Sequence, residues 1–102
     1  GRGSFLAVLK RLGEQESCFS FPMEGYTLAL DFPVDAKALA LLDRLDAIVI
    51  AHGGRFYLAK DSRLRAATLE KADPRVAAFR EMRASSSCDE RFASLQSERL
   101  SL

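Results

Sequence analysis

An α+β fold, a small antiparallel sheet covered on one face by helices in the order β-β-α-β-α-α, is predicted by three observations. Residues 26–32 alternate large apolar with small or polar side chains, the period of a strand. Residues 35–52 switch to the helical period and stop at a glycine pair. Beyond Ser62 the apolar residues return mainly at helical spacing, so the strands come first and the helices gather behind them. A chain of 102 residues that is 48% apolar and holds only 6 Gly and 3 Pro has the composition of one folded domain rather than of a disordered segment. Its length allows one core of modest size.

The first element is residues 5–12. Leu6, Val8, Lys10 and Leu12 fall on one face and Phe5, Ala7, Leu9 and Arg11 on the other, so a strand here carries a basic residue on each face, and a helix stays open as an alternative. Residues 13–17 are polar and punctuate the chain. In residues 26–32, Tyr26, Leu28, Leu30 and Phe32 share a face expected to be core, and Thr27, Ala29 and Asp31 share a small, polar one. The helix over 35–52 follows from Ala38, Leu41, Leu42, Leu45, Ile48 and Val49, with Asp35 as its N-cap and Gly53-Gly54 as its stop. Residues 55–60 alternate Phe56 and Leu58 against Tyr57 and Ala59 and read as a further strand. Ser62 then caps a helix to about Lys71, and Asp73-Pro74 opens another to about Arg83, with Val76, Phe79 and Met82 as its apolar stripe. A sheet this thin has two open edges, so it is expected to continue into a preceding part of the parent chain or to pair with another copy. The first residue is Gly1 rather than Met, which reads as a piece of a longer chain.

Charge excludes one class of partner. Fifteen basic against 14 acidic residues leave a net charge of +1, which supplies no field of the kind a phosphate backbone selects, so nucleic acid is not expected. No apolar run approaches the length of a membrane span, and no signal-like stretch follows the basic residues near the start. Cys18 and Cys88 stand far apart, without CxxC spacing, and predict free thiols in a reducing compartment and no metal site. The expected location is cytoplasmic, with membrane association of the parent protein left open.

Few side chains can carry chemistry. The one histidine, His52, falls at the end of the predicted helix, where an imidazole meets the helix dipole favourably, and no Ser–His–Asp or Cys–His set can be built around it. Gly53-Gly54 follows a helix rather than leading a strand into one, so it is a poor phosphate cradle. Residues 53–63 crowd a phenol, an ammonium, a carboxylate and guanidinium groups together. Lys60 can deprotonate an alcohol only if its pKa, about 10.4 when free, falls to roughly 7–8; otherwise it binds anions or is a solvated charge at a strand edge. In an ideal strand Tyr57 and Lys60 point to opposite faces, so both reach one site only if the strand ends or bulges between them.

Three blocks carry a family resemblance. They are Ser4-Phe5-Leu6-Ala7-Val8-Leu9-Lys10-Arg11-Leu12-Gly13; Ser20-Phe21-Pro22 with Gly25-Tyr26-Thr27-Leu28-Ala29-Leu30-Asp31-Phe32-Pro33; and Gly53-Gly54-Arg55-Phe56-Tyr57-Leu58-Ala59-Lys60-Asp61-Ser62-Arg63. In this order they resemble the C-terminal region of FAD-linked oxidases related to the sugar-lactone oxidases, most closely the decaprenylphosphoryl-ribose 2-oxidase type. Phe92-Ala93-Ser94 and Arg99-Leu100 resemble the tail of such proteins. The resemblance implies that residues 1–102 are a single C-terminal substrate-domain fragment, part of a ferredoxin-like cap, and that FAD is held mainly by an N-terminal domain absent here. It implies Lys60 as the catalytic residue, binding the substrate or taking its hydroxyl proton, and Tyr57, Lys10, Thr27, Ala29 and Asp31 as substrate-binding residues. The implied substrate is a sugar or prenyl-phosphoryl sugar, oxidised by hydride transfer to the flavin. Some family members carry Cys where this chain has Ala29, and Trp where it has Tyr26. A second reading, from a different class, is a stand-alone α+β module that binds a ligand or forms a homodimer through a sheet edge without catalysis.

Overall fold

The computed structural model of the chain describes residues 3–102; Gly1, singled out above for standing in place of Met, lies outside the described residues. Two strands come first, β1 (Leu6–Leu12) and β2 (Gly25–Asp31), followed by the long helix α1 (Ala36–Ala51). A single 3₁₀ turn (Leu58–Lys60) precedes four shorter helices: α2 (Ala66–Ala72), α3 (Val76–Ser85), α4 (Cys88–Arg91) and α5 (Leu95–Arg99). The α+β class stands, with strands first and helices after. The chain divides into two compact units, one made of residues 3–17 and Pro22–Ile48, the other of Cys18–Phe21 and Val49–Leu102.

In the first unit β1 and β2 form a two-stranded antiparallel ribbon, with Leu6 opposite Asp31 and Leu12 opposite Gly25. The open end is fastened by Ser4, whose hydroxyl accepts the Asp31 N–H at 3.0 Å and lies 2.8 Å from the Asp31 carbonyl. Within this unit no helix closes over the face expected to be core. Leu9, Tyr26 and Leu28 are 66%, 73% and 59% exposed, so the face expected to be core is open. Alternation tells which side chains share a face; whether a second layer lies against that face is not a local property. Helix α1 starts as expected, because the Asp35 carboxylate accepts the Ala38 N–H at 2.8 Å.

In the second unit, α1 ends at a Schellman motif. The Gly54 N–H bonds the Val49 carbonyl at 2.9 Å and the Gly53 N–H bonds the Ile50 carbonyl at 3.1 Å. Gly53 supplies the left-handed residue this closure needs, at φ +67°. A Cβ on Gly54 would lie 2.9 Å from Val49 Cγ1, so both glycines of the pair are required by the cap.

The third strand expected over 55–60 is replaced by extended chain running into the 3₁₀ turn. Its alternation is real: Phe56 and Leu58 pack against the buried cluster of Leu64, Leu69, Val76 and Leu100, while Tyr57 is exposed. The pattern reports one-sided burial against helices, and among the described residues no strand pairs with it. Ser62 does not cap α2 either, since the residue before that helix is Arg65 with no side-chain cap. The neighbouring Asp61 instead accepts the N–H groups of Arg63 and Leu64 at 3.2 and 3.0 Å, an Asx turn that reaches the core at Leu64. Asp73 accepts the Arg75 N–H at 3.0 Å and leads into α3, which begins two residues later than Pro74. Leu100 is fully buried, and Arg80 holds the carbonyls of Leu100 and Ser101, so the last residues are part of the core.

Candidate functional site

The sequence-predicted site residues fall into two groups, one in each unit. In the ribbon the antiparallel register sets Lys10 opposite Thr27, Val8 opposite Ala29 and Leu6 opposite Asp31. Residues directly opposite one another share a face, so Lys10, Thr27, Ala29 and Asp31 lie on the same side of the ribbon. Thr27 and Lys10 are immediate cross-strand neighbours, with Cβ atoms about 4.5–5.5 Å apart in such pairs, and Ala29 takes the diagonal position. This face offers an ammonium, a hydroxyl and, at the Ser4-fastened end, a carboxylate, set among Leu6, Val8, Leu12 and Ala29. It is suited to several hydroxyl groups held at once. The opposite face carries Ala7, Leu9, Arg11, Tyr26, Leu28 and Leu30 and is mostly apolar.

Tyr57 and Lys60 belong to the second unit. Tyr57 is the residue before the 3₁₀ turn and Lys60 is its last residue. The chain turns between Tyr57, still extended, and Lys60, so the strict alternation that would set the two on opposite faces does not apply. The Tyr57 ring meets Phe21 edge to face, with centroids 5.4 Å apart and planes at 68°. Lys60 is exposed.

Tyr57 also forms one wall of a cleft of about 230 Å³ that sequence reasoning did not foresee. Phe19, Phe21 and Leu58 give it apolar sides, and Arg55, Asp73 and Arg75 give it charge. Arg75 grips Asp73 as a two-pronged fork, Nε to Oδ1 at 2.9 Å and Nη2 to Oδ2 at 2.7 Å. Burial alone would raise the Asp73 pKa, but the Arg75 side-chain and backbone hydrogen bonds, with the charges of Arg75 and Arg55, outweigh it and hold the carboxyl below its usual value. The same hydrogen bond to Asp73 raises Arg75 further. Phe19 stacks on Phe79 with ring centroids 4.2 Å apart, and the Arg75 guanidinium lies 5.6 Å from the Phe19 centroid. Phe19 stands 56 residues from Arg75 in the sequence, and the local signals at Asp73, a helix cap, and Phe79, a helical stripe, did not point to a cleft.

The glycine pair is used in closing α1, as the sequence order implied, and its N–H groups bond helix carbonyls rather than facing outward.

No family model matches the chain. It is similar over its whole length to the C-terminal part of decaprenylphosphoryl-beta-D-ribose oxidase of Mycolicibacterium smegmatis, at 39% identity, and covers 22% of that protein. It is 43% identical over 97 residues to a Streptomyces coelicolor protein described as an uncharacterized protein in mprA 5'region, covering 93% of this chain and 26% of that one. The chain thus spans about a quarter of the length of these curated relatives. The oxidase similarity bears out the resemblance drawn from the three sequence blocks.

Proposed function

We propose that this chain is the substrate-binding C-terminal part of an FAD-dependent oxidoreductase that oxidises the alcohol of a sugar or sugar lactone, a prenyl-phosphoryl sugar being the preferred class. The observation that carries the reading is the ribbon register, by which Lys10, Thr27, Ala29 and Asp31 share one exposed face. The whole-length similarity to a ribose oxidase supports it by naming a sugar as that protein's substrate. In this reading Lys10, Thr27 and Asp31 hold sugar hydroxyls, and Ala29 leaves room for the ring. Tyr57 orients the substrate, while Lys60 hydrogen-bonds the reacting hydroxyl or takes its proton. FAD, held mainly by an N-terminal domain of the parent protein, supplies the hydride acceptor.

The test uses the full-length parent protein. Lys60→Ala is expected to abolish bleaching of the flavin by substrate while leaving flavin content unchanged. An unaltered single-turnover rate removes Lys60 from the chemistry. A second reading, a ligand-binding or homodimerising module without catalysis, is favoured by the ribbon's open edges and bare apolar face. It requires that the full-length protein hold no flavin, and in its homodimerising form that the protein sediment as a dimer.

A further inference from the structure

We infer that Gln96 is a positioning residue for Lys60, acting through the backbone of the 3₁₀ turn rather than through any contact with substrate. This rests on the proposed role of Lys60 and adds a residue that the sequence did not single out.

A three-residue 3₁₀ turn is weak alone. Its bonds are poorly aligned, and the Asp61 N–H closes its end onto the Leu58 carbonyl at a long 3.2 Å. Gln96, on α5, reaches both ends of it. Its Nε2 donates to the Leu58 carbonyl at 2.6 Å and lies 3.4 Å from the Asp61 carbonyl, so one amide group with two hydrogens spans the segment containing Lys60. Arg99, one helical turn later on α5, ion-pairs with the Asp61 carboxylate and donates to the Leu64 carbonyl at 3.1 Å. The helix is itself held in place. Ser94 and Ser97 form a reciprocal capping box at its start, and Leu100, just beyond its end, is fully buried.

Each of these links is confined to the second unit, and together they fix the backbone on both sides of an exposed lysine. That is what an exposed amine needs if it is to meet a substrate hydroxyl repeatedly at one place. A long side chain on an unanchored turn samples many positions, and small misplacements at a reacting centre are costly in rate. Gln96 touches only carbonyls, so its contribution is to geometry.

The experiment is carried out in the full-length parent protein with three variants. Gln96→Met keeps size and removes the donor. Gln96→Lys restores a donor of similar reach. Lys60→Met removes the amine. Gln96→Met is expected to speed hydrogen exchange at the Asp61 amide about tenfold and to lower kcat/KM for the sugar several-fold. Flavin content and melting temperature should stay unchanged, Gln96→Lys should recover most of the loss, and Gln96→Met should add nothing in the Lys60→Met background. Unchanged exchange at Asp61 overturns the inference. So does faster exchange with normal kcat/KM when Lys60→Met is inactive. If Lys60→Met is fully active, the role proposed for Lys60 fails instead, and the exchange measurement still decides whether Gln96 holds the turn.

Discussion

Lys10 on β1 stands directly opposite Thr27 on β2, so an ammonium and a hydroxyl from two strands share one exposed face. The pairing depends on register, because a slip of one residue would set Lys10 opposite Tyr26 or Leu28 instead of Thr27. Lys10→Met in the full-length protein is expected to raise KM for the sugar several-fold with a smaller change in kcat, the signature of lost binding rather than lost chemistry. Exchanging the order of residues 9 and 10, by Leu9→Lys with Lys10→Leu, should cost as much as Lys10→Met although composition is unchanged. Steady-state kinetics on both variants check this, and normal kinetics in the exchanged variant would detach the face from substrate binding.

Closure of α1 gives a second expectation. Gly54→Ala puts a methyl 2.9 Å from Val49 Cγ1 and 3.3 Å from the Val49 carbonyl, and should destabilise the end of the helix by about 1–3 kcal/mol. Gly53→Ala forces a Cβ into the left-handed region at φ +67° and should cost roughly 1–2 kcal/mol. Hydrogen exchange at the last amides of α1 measures both, and equal protection in variant and parent would contradict them.

The Asp73–Arg75 fork predicts an acid limb. The Asp73 pKa is lowered in the folded state, so between its folded and ordinary values the unfolded chain binds more protons and stability rises with pH. The contribution is complete above the ordinary aspartate value of about 3.9 and is lost as pH falls through the folded one. Asp73→Asn should therefore be less stable than the parent at pH 7, and the difference should shrink as pH is lowered from 4 towards 2. Exchange protection in α3 at several pH values tests this; a constant difference would remove Asp73 from the acid response.

What the sequence made legible was local. Asp35 and the glycine pair mark the ends of α1 because capping depends on a few neighbouring residues. The shared face of Thr27, Ala29 and Asp31 follows from strand periodicity, and Lys10 joined them only once the register was known. Residues 55–60 misled because burial on one side produces the same alternation whether the neighbour is a sheet or a group of helices. The bonds from Gln96 to Leu58 and from Arg99 to Asp61 span more than 30 residues, and no spacing rule announces them.

The short stretch Cys18–Phe21 interrupts the first unit and belongs to the second, where Phe19 lies on Phe79 and Phe21 on Tyr57. No single cut therefore separates the two. A truncation beginning at Val49 keeps every helix from α2 onward yet strips two aromatic rings from the cleft and takes away the carbonyls that Arg55 and Arg75 approach at 3.5 Å. Anyone dividing this polypeptide for expression must carry the early tetrapeptide along with the late helices, as a fused or co-supplied strip, or begin with a damaged half.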